Sequence, residues 1–387
     1  MPSLNERFTA RVRALSSEGS GIVEHASGQV FFVPGVWLGE LGEFRVTGFK
    51  KRFGFAVLDT LLEPAPERVV PPCPHHGFDA GQCGGCPWQF VAYKAQLAAK
   101  EARVRQALAR LVAEERIRPI RGSPRQLGFR NRAQLKTDGK RIGFVSPGSR
   151  QLAPVDDCLI LSDHNRASLR ALAATLPNPA FRPPRGQDWT TLDIDDEIGP
   201  DAVAINRRRP FRQGNDPQNA WMKAWLGERL AGQDRASPVL ELFAGSGNFT
   251  EVIAARGFDR VLAVEGSAEA VAQLAARGLP GVATLVANLF SEEGLDRARR
   301  GLADAEVLVL DPPREGLRGI AALLGKKHSL REVLYVSCDL ATFARDAAVL
   351  VAAGFVMEEV QPLDLFPQGP HLELLSRFRH GGRRARP

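Results

Sequence analysis

The 387-residue sequence lacks any hydrophobic run that approaches the ~20 apolar residues needed to cross a bilayer. Its first residues, MPSLNERFTARVRAL, lack the apolar centre of a secretory signal peptide. Cysteine is scarce, and five cysteines in a reducing compartment do not predict a disulfide framework. These absences predict a cytoplasmic globular protein with no membrane partner, which we expect to be a monomer.

The length and charge of the chain limit the number of domains and the kind of partner that it can have. A chain of 387 residues is long enough for two or three domains. The sequence carries 51 Lys and Arg against 44 Asp and Glu, which gives a net charge of +7. This modest excess fits a phosphate-bearing partner, and it equally fits an ordinary basic enzyme.

The chain is organised around residues 238–255, PVLELFAGSGNFTEVIAA, whose pattern predicts a buried strand, a glycine turn and a helix. Gly245 and Gly247 allow a tight turn against a bulky ligand, and the helix N-terminus presents free N–H groups to that ligand. Glu265 ends the next predicted strand about twenty residues on, where an acid can bind the hydroxyl pair of a ribose. The pattern predicts a nucleoside cofactor site, and a plain crossover without a ligand is the alternative.

Residues 1–62 show short alternating runs separated by Ser-Gly and Leu-Gly-Glu, which predict a β-barrel of about five strands. Lys50, Lys51 and Arg52 stand beside two phenylalanines, Phe53 and Phe55. This combination suits a nucleic-acid backbone next to apolar faces. A solvated edge strand explains the same lysines equally well.

Four of the five cysteines form a candidate metal site. Three fall in one Gly- and Pro-rich loop that cannot bury a core of its own, and a distant fourth can complete the set. Thiolates bind soft metals, so the candidates are a [4Fe–4S] cluster and, as the lesser alternative, a structural zinc. If the fourth cysteine is merely buried, His75 or His76 is the natural replacement. The cysteines are Cys73, Cys83, Cys86 and Cys158.

Residues 63–204 are predicted to form a second domain around this loop. A stretch near residues 91–112 has helical periodicity, with Lys and Arg opposite its apolar face. The segments RAQLKTD and RIGFVSP alternate around Asp138 and Gly139, which predicts a β-hairpin. Its basic residues form either a solvated face or a second surface for the phosphate-bearing partner. They are Arg130, Arg132, Lys136 and Arg141.

Residues 205–387 are predicted to form a third domain, an open α/β sheet. Three further apolar runs end in polar residues on the same rim as Glu265: VATLVANLF near Asn288, AEVLVLDPPREGL at Asp311 and EVLYVSCDL at Cys338. Ligands of open α/β sheets bind at these carboxyl ends. An Asn at such a strand end can hydrogen-bond an adenine edge.

Cys338 is the best nucleophile in the sequence. It precedes a predicted helix N-terminus, an electropositive setting that is expected to favour the thiolate, and an inert buried cysteine is the alternative. Glu373 lies in an otherwise apolar run, where an unpaired carboxylate is costly, so we expect it to have a partner or a role. His371 lies two residues before it, on the same face of the predicted strand.

These motifs resemble those of the RNA uracil-C5 methyltransferase family over most of the chain. ELFAGSGNFT is similar to the family's S-adenosylmethionine loop, DPPREGL to its DPPR loop, YVSCDLATFARD to its nucleophile loop and FPQGPHLE to its base strand. Residues 1–62 resemble a TRAM domain, which is an RNA-binding barrel. The cysteine set is similar to that of the iron–sulfur branch, whose members mostly methylate 23S ribosomal RNA. Two departures are Asp339-Leu340, where relatives commonly have Asn-Pro, and a long gap between the first two cysteines.

The resemblance implies a fold, a reaction and a set of site residues. The implied fold is α/β, with a Rossmann-like S-adenosylmethionine-dependent methyltransferase domain, an N-terminal small β-barrel (TRAM or OB-like) and a central mixed α+β iron–sulfur domain. In the implied reaction, Cys338 adds to C6 of a flipped uracil, C5 takes the methyl group, and Glu373 removes the C5 proton. The implied cofactor-binding residues are Gln213, Phe243, Gly245, Asn248, Glu265, Asn288 and Asp311.

The expected function is methyl transfer from S-adenosylmethionine to C5 of a uridine in 23S ribosomal RNA. The nearest alternative is the same chemistry on the T-loop uridine of transfer RNA. A small-molecule methyltransferase would need neither the barrel nor the basic hairpin. An RNA-binding assembly factor with a decayed active site is a further alternative, against which the intact cysteine, acid and glycine turn all speak.

Overall fold

A computed structural model describes residues 2–207, 209–325 and 328–381. Residues 208, 326–327 and 382–387, all within the predicted third domain, lie outside the described residues. Contacts divide the chain into two compact units, each built from three stretches. The division into 1–62, 63–204 and 205–387 stays a prediction. The first unit comprises Met1–Ala98, Arg125–Arg209 and Phe366–His371, and the second comprises Ala99–Pro124, Pro210–Leu365 and Leu372–Pro387.

The first sheet has six strands, because a two-residue strand is added to the predicted five. Phe8 of β1 and Phe31 of β4 have ring centroids 5.2 Å apart although two strands separate β1 from β4 in the sheet. The sheet therefore curls over one apolar core, which confirms the small barrel. The strands are β1 Arg7–Arg11, β2 Ala14–Leu15, β3 Gly21–Glu24, β4 Val30–Val33, β5 Leu41–Phe49 and β6 Gly54–Glu63, in the order β1-β5-β6-β4-β3-β2.

The second sheet of the first unit contains the predicted hairpin, whose turn has Gly139 at φ 82°. Its basic side chains are largely satisfied locally, since Arg132 lies 2.6 Å from a carboxylate oxygen of Asp193, and Arg141 lies 2.8 Å from one of Asp138. The hairpin therefore offers less free charge than its sequence suggests. The elements are β7 Arg132–Thr137, β8 Ile142–Val145, β9 Leu152–Pro154, α2 Asp163–Ala174, β10 Thr190–Asp195 and β11 Ala204–Ile205, with strand order β11-β10-β7-β8-β9.

The third sheet, in the second unit, is Rossmann-like, as predicted. Its central strands are short apolar runs buried on both faces, which suits a parallel sheet covered by helices. The order is β14-β13-β12-β15-β16-β18-β17, and the first five strands are parallel. The elements are α3 Asp216–Leu230, β12 Val239–Leu242, α4 Thr250–Ala255, β13 Val261–Glu265, α5 Ala268–Ala276, β14 Val282–Val286, α6 Glu292–Gly301, β15 Val307–Leu310, α7 Ile320–Leu324, β16 Glu332–Ser337, α8 Leu340–Ala352, β17 Phe355–Leu363 and β18 Glu373–His380.

The helix α1, Tyr93–Leu108, passes from the first unit into the second. Lys and Arg were expected opposite its apolar face, and Lys100 is an exception. This lysine is fully buried with its Nζ 2.5 Å from Oδ1 of Asp364, which is also fully buried. No helix within the described ranges combines the length and the apolar composition that crossing a bilayer demands.

Candidate active site

The glycine turn after β12 leaves room for a ligand. Phe243, Gly245 and Gly247 all have positive φ, at 63°, 55° and 98°. A side chain at Gly247 would meet Leu274 at 2.5 Å, whereas a Cβ at Gly245 would meet nothing within 4 Å. The turn is therefore closed against α5 at Gly247 and open at Gly245.

Glu265, at the end of β13, lies beside this opening. One of its carboxylate oxygens accepts a hydrogen bond from the Gly245 N–H at 3.1 Å, and the other accepts from the Ser267 N–H at 2.8 Å. On the next strand end, Asn288 is exposed and accepts from the Phe290 N–H at 3.0 Å. These side chains follow adjacent parallel strands, so the structure brings them to one rim.

The remaining cofactor candidates lie around the same turn. The rings of Phe243 and Phe290 have centroids 5.7 Å apart. Asn248 exchanges two amide hydrogen bonds of 3.0 Å with Asn219, which attaches the glycine turn to α3. Gln213 is buried just before α3 begins.

Cys338, Asp311 and Glu373 come together on this rim. The antiparallel register of β16 and β18 pairs Ser337 with Leu374, so one further step sets Cys338 opposite Glu373. Asp311 directly follows β15, the parallel neighbour of β16. His371, which was predicted on the same strand face as Glu373, instead precedes β18.

The electrostatics of Cys338 differ from the prediction. Burial, followed by the charges of Glu373 and Asp311, raises the pKa of its thiol to about 12, although Arg314 opposes this rise. The predicted electropositive setting is therefore wrong. Besides the two carboxyls, the N-cap of α8 is itself an acid, Asp339, which accepts from the Thr342 N–H at 2.9 Å.

The two carboxyls at this site are also perturbed. Burial, followed by the charge of Asp311, holds the pKa of Glu373 well above its ordinary value. Burial likewise raises the pKa of Asp311. Both groups therefore have a stronger tendency to hold a proton than a surface carboxylate has.

Glu241, in the middle of β12, is a buried acid that the sequence interpretation missed. One of its carboxylate oxygens has no hydrogen-bond partner among the described residues. Burial raises its pKa to about 8. A charged residue inside the apolar run VLEL is the same signal that identified Glu373, so the sequence contained the clue.

A buried carboxylate on α8 anchors the loop that follows Asp311. One oxygen of Asp346 accepts from the Tyr335 hydroxyl and from the Leu317 N–H, both at 2.7 Å. In the first turn of α8, the Thr342 hydroxyl donates a hydrogen bond to the Arg314 carbonyl at 2.9 Å. The DPPR loop and the helix after the cysteine are therefore fixed to each other.

The four remaining cysteines, in the first unit, line one cavity together with His75 and His76. His75 Nε2 lies 2.6 Å from a carboxylate oxygen of Asp156, whereas His76 Nε2 has no partner among the described residues. Burial raises the pKa of Cys158 to about 11, and the charges of Cys83 and Cys73 add to it. Within the described part of the chain, no group of three or more His, Cys, Asp or Glu side chains is arranged to hold a single metal ion.

Known proteins are similar to this chain along nearly its whole length. An uncharacterized RNA methyltransferase of Nitrosomonas europaea is 39% identical over 378 residues, 96% of each chain. The 23S rRNA (uracil(1939)-C(5))-methyltransferase RlmD of Halomonas elongata is 30% identical over 95% of this chain and 89% of its own. A crystal structure of the Pyrococcus abyssi tRNA (uracil-54, C5)-methyltransferase with S-adenosyl-L-homocysteine has a TM-score of 0.71 at 21% identity, covering 96% and 99% of the two chains. No family model matches the chain.

Proposed function

We propose a substrate and a set of acting residues for this chain, which belongs to the family of S-adenosylmethionine-dependent RNA uracil-C5 methyltransferases. It is an RNA methyltransferase that acts on C5 of uracil. The substrate we propose is a uridine of 23S ribosomal RNA, methylated in the cytoplasm by a monomer. The relative named for that reaction, at 30% identity over 95% of this chain, supports this choice. The T-loop uridine of transfer RNA is the second candidate.

The open side of the glycine turn would hold the cofactor. S-adenosylmethionine supplies an electrophilic methyl group on a sulfonium when it is bound. The open space at Gly245 supports a bulky ligand here. Glu265 would bind the ribose hydroxyls, and Phe243 and Asn288 would contact the adenine. The other proposed cofactor-binding residues are Gln213, Asn248 and Asp311.

Cys338 and Glu373 would carry the chemistry, and the observation behind this proposal is their opposition across β16 and β18. The Cys338 thiol would lose its proton to Asp311, which leaves Glu373 unprotonated, and Sγ would then bond to C6 of the uracil. The electron pair displaced to C5 would form the new bond to the methyl carbon supplied by bound S-adenosylmethionine, as the carbon–sulfur bond breaks and its electron pair stays on sulfur. Glu373 then takes the C5 proton, and the released electron pair expels Sγ from C6.

The test is to follow a labelled methyl group and any covalent protein–RNA species. Cys338→Ala should abolish both, because no thiolate reaches C6. Glu373→Gln should accumulate a slow-migrating adduct that carries the label, because the C5 proton cannot leave. The control is Glu358→Gln, an exposed acid on the adjacent strand β17.

Two outcomes would contradict the proposal. If Glu373→Gln turns over normally and leaves no adduct, another base acts, and His371 is the first to test. If the unaltered protein neither methylates ribosomal or transfer RNA nor forms an adduct with RNA containing 5-fluorouridine, an assembly factor with a decayed site is the better interpretation.

We propose that Cys73, Cys83, Cys86 and Cys158 hold a [4Fe–4S] cluster, with zinc as the lesser alternative. The lining of one cavity by all four thiols supports a shared ligand. Four thiolates are the ligand set that [4Fe–4S] clusters use, and a structural zinc can take the same set. Iron analysis of protein purified without oxygen tests this proposal.

A further inference from the structure

Three phenylalanines and one lysine form a cluster on the outer face of the small barrel, where Phe55 and Lys50 are exposed and the other two rings are half-buried. Phe32 of β4 and Phe55 of β6 are register partners on adjacent strands. The ring of Phe53 lies against both, with centroids 5.0 Å from Phe32 and 5.6 Å from Phe55. The Lys50 ammonium lies 5.9 Å from the Phe53 ring centroid and 5.7 Å from that of Phe55. We name these four residues the aromatic platform.

The platform is not part of the barrel core. Along β6, Gly54 and Ala56 are buried, and Phe55 between them points outward with 39% of its surface exposed. The rings inside the barrel belong to other residues, Phe31 and Phe44 among them. An exposed aromatic ring that packs on two half-buried ones forms an apolar patch of the kind that binds a ligand or partner.

The charge around the platform indicates a polyanion. Lys50, Lys51 and Arg52 are all exposed, and none of the three forms an ion pair with an acid among the described residues. By contrast, Arg132 and Arg141 of the basic hairpin are paired with aspartates. The barrel therefore presents free cations beside aromatic faces, whereas these two arginines of the hairpin are neutralised by aspartates.

We infer that the aromatic platform binds unpaired bases of the RNA substrate by stacking. This inference rests on the proposed function, because it assumes that the ligand is RNA. Every base has a flat π-face that can stack on phenylalanine, and the bases of a duplex are already stacked on one another. Lys50, Lys51 and Arg52 would neutralise the phosphates of the same strand. The platform thus selects single-stranded segments without reading their sequence.

The test measures binding of the full-length protein to a short single-stranded RNA and to the same sequence in a duplex, by fluorescence anisotropy. Phe55→Ala should weaken single-strand binding about tenfold, or ~1.4 kcal/mol, and leave duplex binding unchanged. Its salt dependence should stay the same, because a ring neutralises no phosphate. Lys50→Ala should instead lower the slope of log affinity against log salt by about 0.7. The matched control is Leu62→Ala, on the same strand and 49% exposed.

Phe55→Trp should restore single-strand binding, and thermal unfolding of each variant checks that the barrel remains folded. Unchanged affinity in Phe55→Ala, or an equal loss on the duplex or in Leu62→Ala, would overturn the inference. A lower sedimentation coefficient for Phe55→Ala than for the unaltered protein would also overturn it, because the platform would then be a contact between two copies of the chain. Covalent adduct formation with saturating 5-fluorouridine RNA separates this inference from the proposed function. The adduct should still form in Phe55→Ala, because the ring takes no part in the chemistry. If the unaltered protein forms no adduct, the proposed function alone is refuted.

Discussion

The raised pKa of the Cys338 thiol predicts that this cysteine reacts slowly with alkylating agents in the free enzyme. The ordinary value of 9.0 rises to about 12, which lowers the thiolate fraction below pH 9 about a thousandfold. A more basic thiolate is also intrinsically more nucleophilic, and a Brønsted slope of ~0.5 recovers roughly thirtyfold of that loss. Alkylation of Cys338 should therefore be about thirtyfold slower than that of an unperturbed cysteine.

The assay is alkylation by iodoacetamide between about pH 7 and 10, read from the peptide that contains Cys338 by mass spectrometry. For a thiol with a raised pKa the neutral form persists as pH increases, so the rate should rise about tenfold per pH unit without a plateau. Glu373→Gln should accelerate alkylation, because it removes a carboxylate that opposes the thiolate, and Arg314→Ala should slow it. Since the pKa of Glu373 is itself raised, its effect should be largest at the upper end of the range.

The opposite signs of these two substitutions make the reasoning easy to refute. A plateau in the unaltered protein at or below pH 9 would show an activated thiol, as the sequence alone predicted. Equal shifts in the same direction for Glu373→Gln and Arg314→Ala would show that the substitutions act through local packing and not through charge.

Two further predictions concern the metal site and the buried ion pair. Cys158→Ala should lower the bound iron, about four per chain in the unaltered protein, because the cluster loses one of its four thiolate ligands; one zinc per chain and no iron in the unaltered protein would refute the cluster. Asp364→Asn should destabilise the protein by about 3–5 kcal/mol in urea unfolding, because the buried Lys100 loses its carboxylate, and the double variant with Lys100→Met should recover much of that loss. A change below about 1 kcal/mol would show that Lys100 is solvated.

The rim of the parallel sheet could be predicted because its signals are local. Each strand is a short, mostly apolar run, and each is followed within three residues by a polar residue or a glycine. Parallel strands in one sheet bring such residues to the same edge, so the residue pattern alone places Glu265 and Asp311 together. The hairpin at Asp138 was confirmed for the same reason, since its turn chemistry lies within a few residues.

The features that the sequence did not predict depend on contacts between side chains that are brought together only by the fold. Lys100 is unremarkable in a helical pattern, and only the fold shows that it is buried against Asp364. Cys338 precedes a helix as predicted, but its pKa is set by burial and by carboxyls far away in sequence. The contact of Asp346 with Tyr335 likewise joins a helix to a strand that precedes it. The spacing of residues along the chain does not indicate such tertiary contacts.

The way the chain alternates between its two units has an evolutionary consequence. Each unit is assembled from three separate stretches, and one of them, Phe366–His371, is only a short excursion into the first unit between β17 and β18. A single recombination breakpoint cannot deliver either unit intact to another gene. Transfer of either whole unit between genes would need several breakpoints, one at each crossing of the chain between the units.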